Sequence, residues 1–455
     1  MNEFRMHQRI VQQTLLMLYF LLSYNGVQGE KNLSKLEDAE LEKQLKLLNK
    51  PAVKIAKGGK TILLCHMVFG QKALQWLNFS KSNVLKFFRK RSSLLTVVFT
   101  KYGDIYDCID FYKQHAFDHP LLKDHNYHPK MKPTLSRVKQ NSDASTTSRS
   151  STIWSKDGGC PFGTVPIKRI TKDDLIRQRR IPPPENVTFG SQSAVSNNNS
   201  EAKGRYISSQ GYKLAIAQIL NNPNNKFAGA GMATNFYNPR VEGQQHSACR
   251  LKIQKDSDIL QVGWRVDPTL YGDSKTRLFI HLQADKIHCF NTLCPGFVQV
   301  SSEIPLDMSF EDYLSRRGGA IWEEKMYIDR DLANGNWWLL MEKDYKQVGF
   351  WPQRIFTGLT SFATNVEWGG VVYSPPGVPE PFMGSSFFPI KDSAYDAYCT
   401  KLTILNEEGK TFEVDNVTTH ADNPNMYKVL FGPLWDDTKP FLFVLYGGPG
   451  ERAQV

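Results

Sequence analysis

Along the C-terminal half of the chain, apolar and polar residues alternate in short runs. Thr276 to Gln283 alternates, and Phe297 to Val300, Trp337 to Met341, Val366 to Tyr373, Thr411 to Val414 and Phe441 to Tyr446 are β-branched or aromatic runs closed by Gly, Pro, Asn or Asp. With no long helical pattern between them, runs of this kind predict an antiparallel β-sandwich or barrel from Tyr206 onward. The N-terminal part reads differently. Ser34, Lys35, Leu36 and Glu37 make a capping box, and Leu41, Leu45 and Leu48 then recur at helical spacing until Pro51 ends the run. The expectation is a mainly β protein: a C-terminal antiparallel β-sandwich preceded by a small mixed pro-segment.

The first residues carry Arg5 and Arg9, then the apolar run Leu15 to Leu22, then Val27 and Gly29, which is the layout of a secretory signal peptide over residues 1–29. That run is short for a membrane span, and no later segment is continuously apolar, so the mature form is expected to have no membrane partner. From Lys57 to Lys101 there are nine Lys or Arg and no acidic residue. The net charge of +11 is therefore mostly local, since 11 − 9 leaves +2 for the rest. A nucleic-acid groove needs its cations spread over a folded face, so nucleic acid is not an expected partner. Residues 57–101 read instead as an insert. A second change of texture, Ile181 through three prolines and Glu185 to the polar tract ending at Ser200, is expected to be an extended, exposed linker over 181–205. The organisation is then a signal peptide (1–29), a pro-region (30–205) holding that insert and linker, and a globular domain (206–455). Sequons at Asn32, Asn186, Asn198 and Asn416, and one at Asn78 inside the basic block, fit a glycosylated secretory product.

The seven cysteines fit an oxidising compartment. Cys289 and Cys294 can close a small loop, and Cys108 is expected to pair with Cys160 within the pro-region. Cys249 and Cys399 are left open between a bridge and free thiols, and Cys65 is the expected leftover. The usual hydrolase, zinc-protease and nucleotide-binding motifs are absent, and no cofactor is implied. His115, Asp118, His119, Asp124, His125 and His128 are metal-type residues, but with Pro120 and Pro129 among them a metal site is not the preferred reading. Histidines gaining charge together in acid would instead loosen a docked segment.

More specific motifs follow in order: Gly263-Trp-Arg-Val-Asp-Pro-Thr-Leu-Tyr-Gly-Asp273, Cys289 to Phe297, Gly335-Asn-Trp-Trp338, Val348-Gly-Phe-Trp-Pro352, Val366-Glu-Trp-Gly-Gly370 and Tyr446-Gly-Gly-Pro-Gly450. With Tyr102 to Cys108 and Cys160 to Arg169 upstream, the chain resembles the plant neprosin family, in its activation peptide as well as its peptidase domain. The resemblance implies an antiparallel β-sandwich, an inhibitory pro-segment and a glutamic endopeptidase acting on proline-containing peptides in acidic fluids of the apoplast or vacuole. The family's paired glutamates fall on Gln261 and Val371 here. Glu367, which shares a strand face with Val371, is then the candidate catalytic carboxylate, with Gln261 as oxyanion donor. Trp264, Tyr271 and Trp368 are the candidate substrate-binding aromatics. The alternative class is a catalytically inactive extracellular β-sandwich that binds peptides or cell-wall glycans. Family cysteines are missing at Met426 and beyond Gly450, as though one disulfide had been lost.

Overall fold

The structure is a computed structural model that describes residues 38–52, 97–134, 159–185, 188–189, 206–207, 211–219, 222–285, 287–435 and 440–451. The expected signal peptide, the Ser34 capping box, Cys65, most of the basic block and the sequons at Asn32, Asn78, Asn186 and Asn198 lie outside these residues. Asn416 is described and exposed.

Two antiparallel sheets face each other across one hydrophobic core. The seven-stranded sheet is built from β1 (Tyr212–Ile219), β2 (His246–Lys255), β3 (Asp258–Val266), β4 (Thr276–Ala284), β5 (Ile287–Phe290), β6 (Asn365–Tyr373) and β7 (Thr418–Ala421), in the order β5-β4-β3-β2-β6-β1-β7. The ten-stranded sheet is centred on Glu323–Arg330, Gly229–Asn235 and Ala397–Leu405, with Trp337–Met341, Lys346–Trp351 and Pro440–Gly448 further out. Alternation along each strand sends one set of side chains inward. From the seven-stranded sheet these are Ala217, Leu251, Val262, Trp264, Ile280, Val366 and Trp368; Met326, Ile328, Trp337, Leu339 and Val444 meet them from the other sheet. Cys249 and Cys399 face each other across this core as free thiols, with sulfurs 3.2 Å apart. The Cys108–Cys160 and Cys289–Cys294 disulfides are both present.

The pro-region packs onto the sandwich. Its three-stranded sheet, Val97–Phe99, Ile105–Asp110 and Thr164–Lys168, is joined by the Cys108–Cys160 bridge. The first of these strands lies inside the stretch expected to be an insert, and it pairs Val97 with Asp107. Phe111, Leu122, Tyr127 and Val165 belong to the same core cluster as the sandwich. Burying side chains such as Phe111 and Leu122 contributes about 1.5–3 kcal/mol each relative to exposure. The helix at 38–48 places Leu41 against Ile170 and Leu175, and Asn49 exchanges hydrogen bonds with the Ile170 backbone at 2.7 and 2.8 Å. Helix Lys172–Gln178 starts with a capping box in which Thr171 and Asp174 satisfy each other's backbone N–H.

Candidate functional site

Residues directly opposite in an antiparallel ladder point to the same face, so the register of the seven-stranded sheet fixes who stands beside whom. On the face turned away from the core, one rung reads Thr418, Gln218, Glu367, Lys252, Gln261, His281 and Phe290. The next rung on that face reads Ile216, Gly369, Arg250, Gly263 and Phe279. Arg250 is thus flanked by glycines. A Cβ at Gly263 would lie 1.9 Å from the Cys249 carbonyl oxygen, and Gly369 has φ +133°, so neither position accepts a side chain without backbone movement.

Glu367 is fully buried. Its Oε1 accepts from Lys252 Nζ at 3.2 Å and from Asn365 Nδ2 at 2.9 Å, while Oε2 lies 3.0 Å from an Arg250 Nη. Burial alone would push the Glu367 carboxyl up, but Lys252, Arg250 and the Asn365 amide outweigh it and hold the group below the usual carboxylate range. The same Arg250 donates to Glu185 at 2.5 Å through Nη2 and 3.3 Å through Nε, and Lys252 Nζ is 3.9 Å from that carboxylate. Arg250 and Lys252 against Glu367 and Glu185 sum to +2 − 2 = 0, so the buried cluster is charge-balanced only when Glu185 is in place.

Glu185 belongs to the segment expected to be an exposed linker. Pro182 and Glu185 are instead buried, because residues 181–185 lie over the outer face of the sheet. Ile181 packs on a second apolar cluster formed by Tyr212, Leu214, Ile216, Ala248, Leu270, Tyr271, Phe279, Phe290, Val371 and Tyr373, and the Pro183 carbonyl accepts from the Tyr212 hydroxyl at 2.9 Å. The strap is held by apolar contact at one end and by ion pairs at the other.

The expected site residues divide between the two faces. Glu367 and Gln261 share the outer face and one rung, with the Lys252 strand between them. Tyr271 is also on the outer side, where Lys168 of the pro-region sits 5.7 Å from its ring. Trp264 and Trp368 are core residues instead: each is fully buried between the sheets, and their indole N–H groups donate to the Asn235 and Gly231 carbonyls at 2.9 and 3.2 Å. They differ in parity from Glu367 and Gln261, so they cannot touch a molecule lying on the outer face. Arg250 and Lys252 were missed. They alternate with Cys249, Leu251 and Ile253, a pattern that reads as an ordinary solvated face, and the only sequence hint was cations without nearby acidic residues on that strand.

The pro-region histidines are each used locally. His115 Nδ1 meets Asp118 at 2.6 Å, His125 stacks on Phe117 with centroids 3.8 Å apart, and His119 and His128 accept from backbone N–H groups at 3.2 and 3.3 Å. Among the described residues, no group of His, Cys, Asp and Glu is arranged to hold a metal ion. No described helix is long and apolar enough to cross a membrane.

A two-sheet antiparallel β-sandwich with residues 181–185 of its own chain lying over the outer sheet face defines the fold. Residues 97–218 match the neprosin activation peptide model and residues 243–449 match the neprosin model, in that order along the chain. The chain belongs to the neprosin family. Among solved structures it is similar to scytalido-glutamic peptidase with a peptide-based transition state analog, at 11% identity and TM-score 0.29, covering 52% of this chain and 97% of that one. It is also similar to SCP-B, a member of the eqolisin family of peptidases in complex with the tripeptide Ala-Ile-His, at 11% identity and TM-score 0.27, over 52% of this chain and 96% of the other.

Proposed function

We propose that the chain is a secreted precursor of a neprosin-type glutamic endopeptidase domain that engages proline-containing peptides and hydrolyses them weakly. The observation that carries this reading is the state of Glu367. A general base must take a proton from water, and it does so best when its basicity suits the working pH and it can reach that water. Glu367 is held below the usual range by Lys252 and Arg250, and both its oxygens already face cations. Gln261, an amide, cannot accept the proton in its place. The same lock favours a second reading, a catalytically inactive extracellular β-sandwich that binds peptides.

Cleavage of a proline-containing fluorogenic peptide by the full-length protein at about pH 4 tests the proposal. Slow cleavage is expected, with Glu367→Gln abolishing it. Gln261→Glu combined with Val371→Glu should raise the rate, by up to the hundred- to ten-thousand-fold that general-base help typically supplies (~10²–10⁴). Robust cleavage that survives Glu367→Gln would overturn the assignment and move the search to Asp273, which pairs with Arg277 at 2.6 Å, and to the exposed Glu303. No cleavage by any of the three proteins would leave the binding reading.

A further inference from the structure

Resting on the peptide-engaging reading of this face, we propose that Arg250 and Lys252 form a carboxylate-binding subsite, and that the domain selects peptides in which an acidic residue follows a proline-rich stretch. The chain itself supplies the bound example. In the strap, Ile181-Pro-Pro-Pro-Glu185, the Pro183 carbonyl is held by Tyr212 and the carboxylate two residues later is held by Arg250. These anchors belong to different rungs of one face. Tyr212 pairs with Tyr373 and Tyr373 with His246, whereas Arg250 lies four residues further along β2, about 13 Å at the usual rise per residue. An extended peptide running along the strand therefore presents its carbonyl at the first anchor and reaches the second with a long acidic side chain.

The subsite is built rather than incidental. Arg250 and Lys252 are both fully buried, and the guanidinium contacts both Glu185 oxygens through Nε and Nη2. Arg250 Nη1 is a buried donor without a hydrogen-bond partner, so the guanidinium retains donor capacity beyond its present acceptors. The glycines immediately on either side, Gly369 and Gly263, place no side chain next to Arg250 within that rung. At the other anchor, Tyr212, Tyr373 and His246 form an aromatic group with centroids 5.0–5.6 Å apart, a surface of the kind that receives proline-rich peptides. Glu367 neutralises one of the cations, so removal of Glu185 leaves +1 in a buried place. A neutral side chain there leaves that charge uncompensated; a carboxylate removes the deficit.

Binding of labelled peptides to full-length protein tests this apart from hydrolysis. The probes are Ile-Pro-Pro-Pro-Glu amide and Ile-Pro-Pro-Pro-Gln amide, each carrying fluorescein at its N-terminus and read by anisotropy at neutral pH. In the unaltered chain the strap occupies the site, and neither probe should bind measurably. In a chain with Pro182→Gly, Pro183→Gly and Glu185→Gln the strap is weakened. The Glu probe should then bind at least about tenfold tighter than the Gln probe, the lower end of what a charge-assisted hydrogen bond contributes. Adding Arg250→Met, or separately Lys252→Gln should the first variant fail to fold, should shrink that preference toward one. Equal affinity for the two probes in the strap-weakened chain overturns the proposal, as does tight binding of the Glu probe to the unaltered chain. Mass spectrometry of the probes afterwards reports any cutting, and that result bears only on the hydrolytic reading.

Discussion

Glu367→Gln separates a structural carboxylate from a catalytic one. In the folded precursor Glu367 compensates Arg250 and Lys252, and all three side chains are fully buried. The substitution leaves two cations facing Glu185 alone, a net +1 with no solvent to screen it. Breaking a buried ion pair by removing one partner typically costs about 3–5 kcal/mol, and the surviving Asn365 contact recovers only part of this. The expected loss is therefore about 3 kcal/mol at neutral pH, a fall in melting temperature on the order of 10 °C. The pH dependence adds a second signature. Because the folded-state carboxyl is held below its ordinary value, its stabilisation is present above the usual carboxylate range and disappears as pH falls through the depressed one. The difference between parent and variant should thus shrink in strong acid. Urea unfolding of both proteins, followed by tryptophan fluorescence, measures the loss. A change within about 0.5 kcal/mol at neutral pH would refute the charge-balance argument.

Burial holds His115, His119, His125, His246 and His281 below the ordinary histidine value and takes His288 to about 4, so the folded precursor binds fewer protons than a loosened one. Their stabilising contribution is intact above about pH 6.5 and is lost as pH falls below it through their depressed values; limited proteolysis between Glu185 and Tyr206 should accelerate over that fall, and a flat profile would count against it. Gly263→Ala puts a methyl 1.9 Å from the Cys249 carbonyl oxygen; it should cost about 1–3 kcal/mol in urea unfolding, and a neutral outcome would show that β2 and β3 can separate there. Deleting residues 57–96 should leave the yield of soluble protein unchanged, whereas extending the deletion through 101 removes the Val97–Phe99 strand and should lower it; equal yields would mean that this strand adds nothing.

The strands were legible because apolar alternation is a local signal. Trp337 to Met341 was expected and is found with those bounds, and Val366 to Tyr373 extends by only Asn365. The Cys289–Cys294 bridge was legible from its short spacing, and the Cys108–Cys160 pair from both cysteines lying in the pro-region. The candidate site was legible only in part. Glu367 and Gln261 could be placed on one face from parity, but which strand lies between them depends on sheet order, which no local pattern encodes. The tryptophans were misassigned for a related reason: in a two-sheet fold, large aromatics at core parity and at groove parity look alike until the second sheet is located. The strap was hidden most completely. Three prolines and a glutamate have the composition of a solvated linker, and only the cations waiting on β2 turn that sequence into a buried one.

The strand β1 bears on where the precursor can be cut. The activation peptide match runs through residue 218, yet β1 (Tyr212–Ile219) is an interior member of the seven-stranded sheet, hydrogen-bonded to β6 on one side and β7 on the other. Losing it would expose the backbone edge of β6, the strand that carries Glu367, and strand β7 would have no neighbour. Any cut that releases the matched activation segment and keeps this sheet whole would have to fall before Tyr212. A cut there would separate the strap and the three-stranded sheet from the sandwich, while the tail of the matched region would stay behind as part of the seven-stranded sheet. Propeptide and domain, distinct as sequence families, are divided in the folded molecule at a different point from where the family boundary falls.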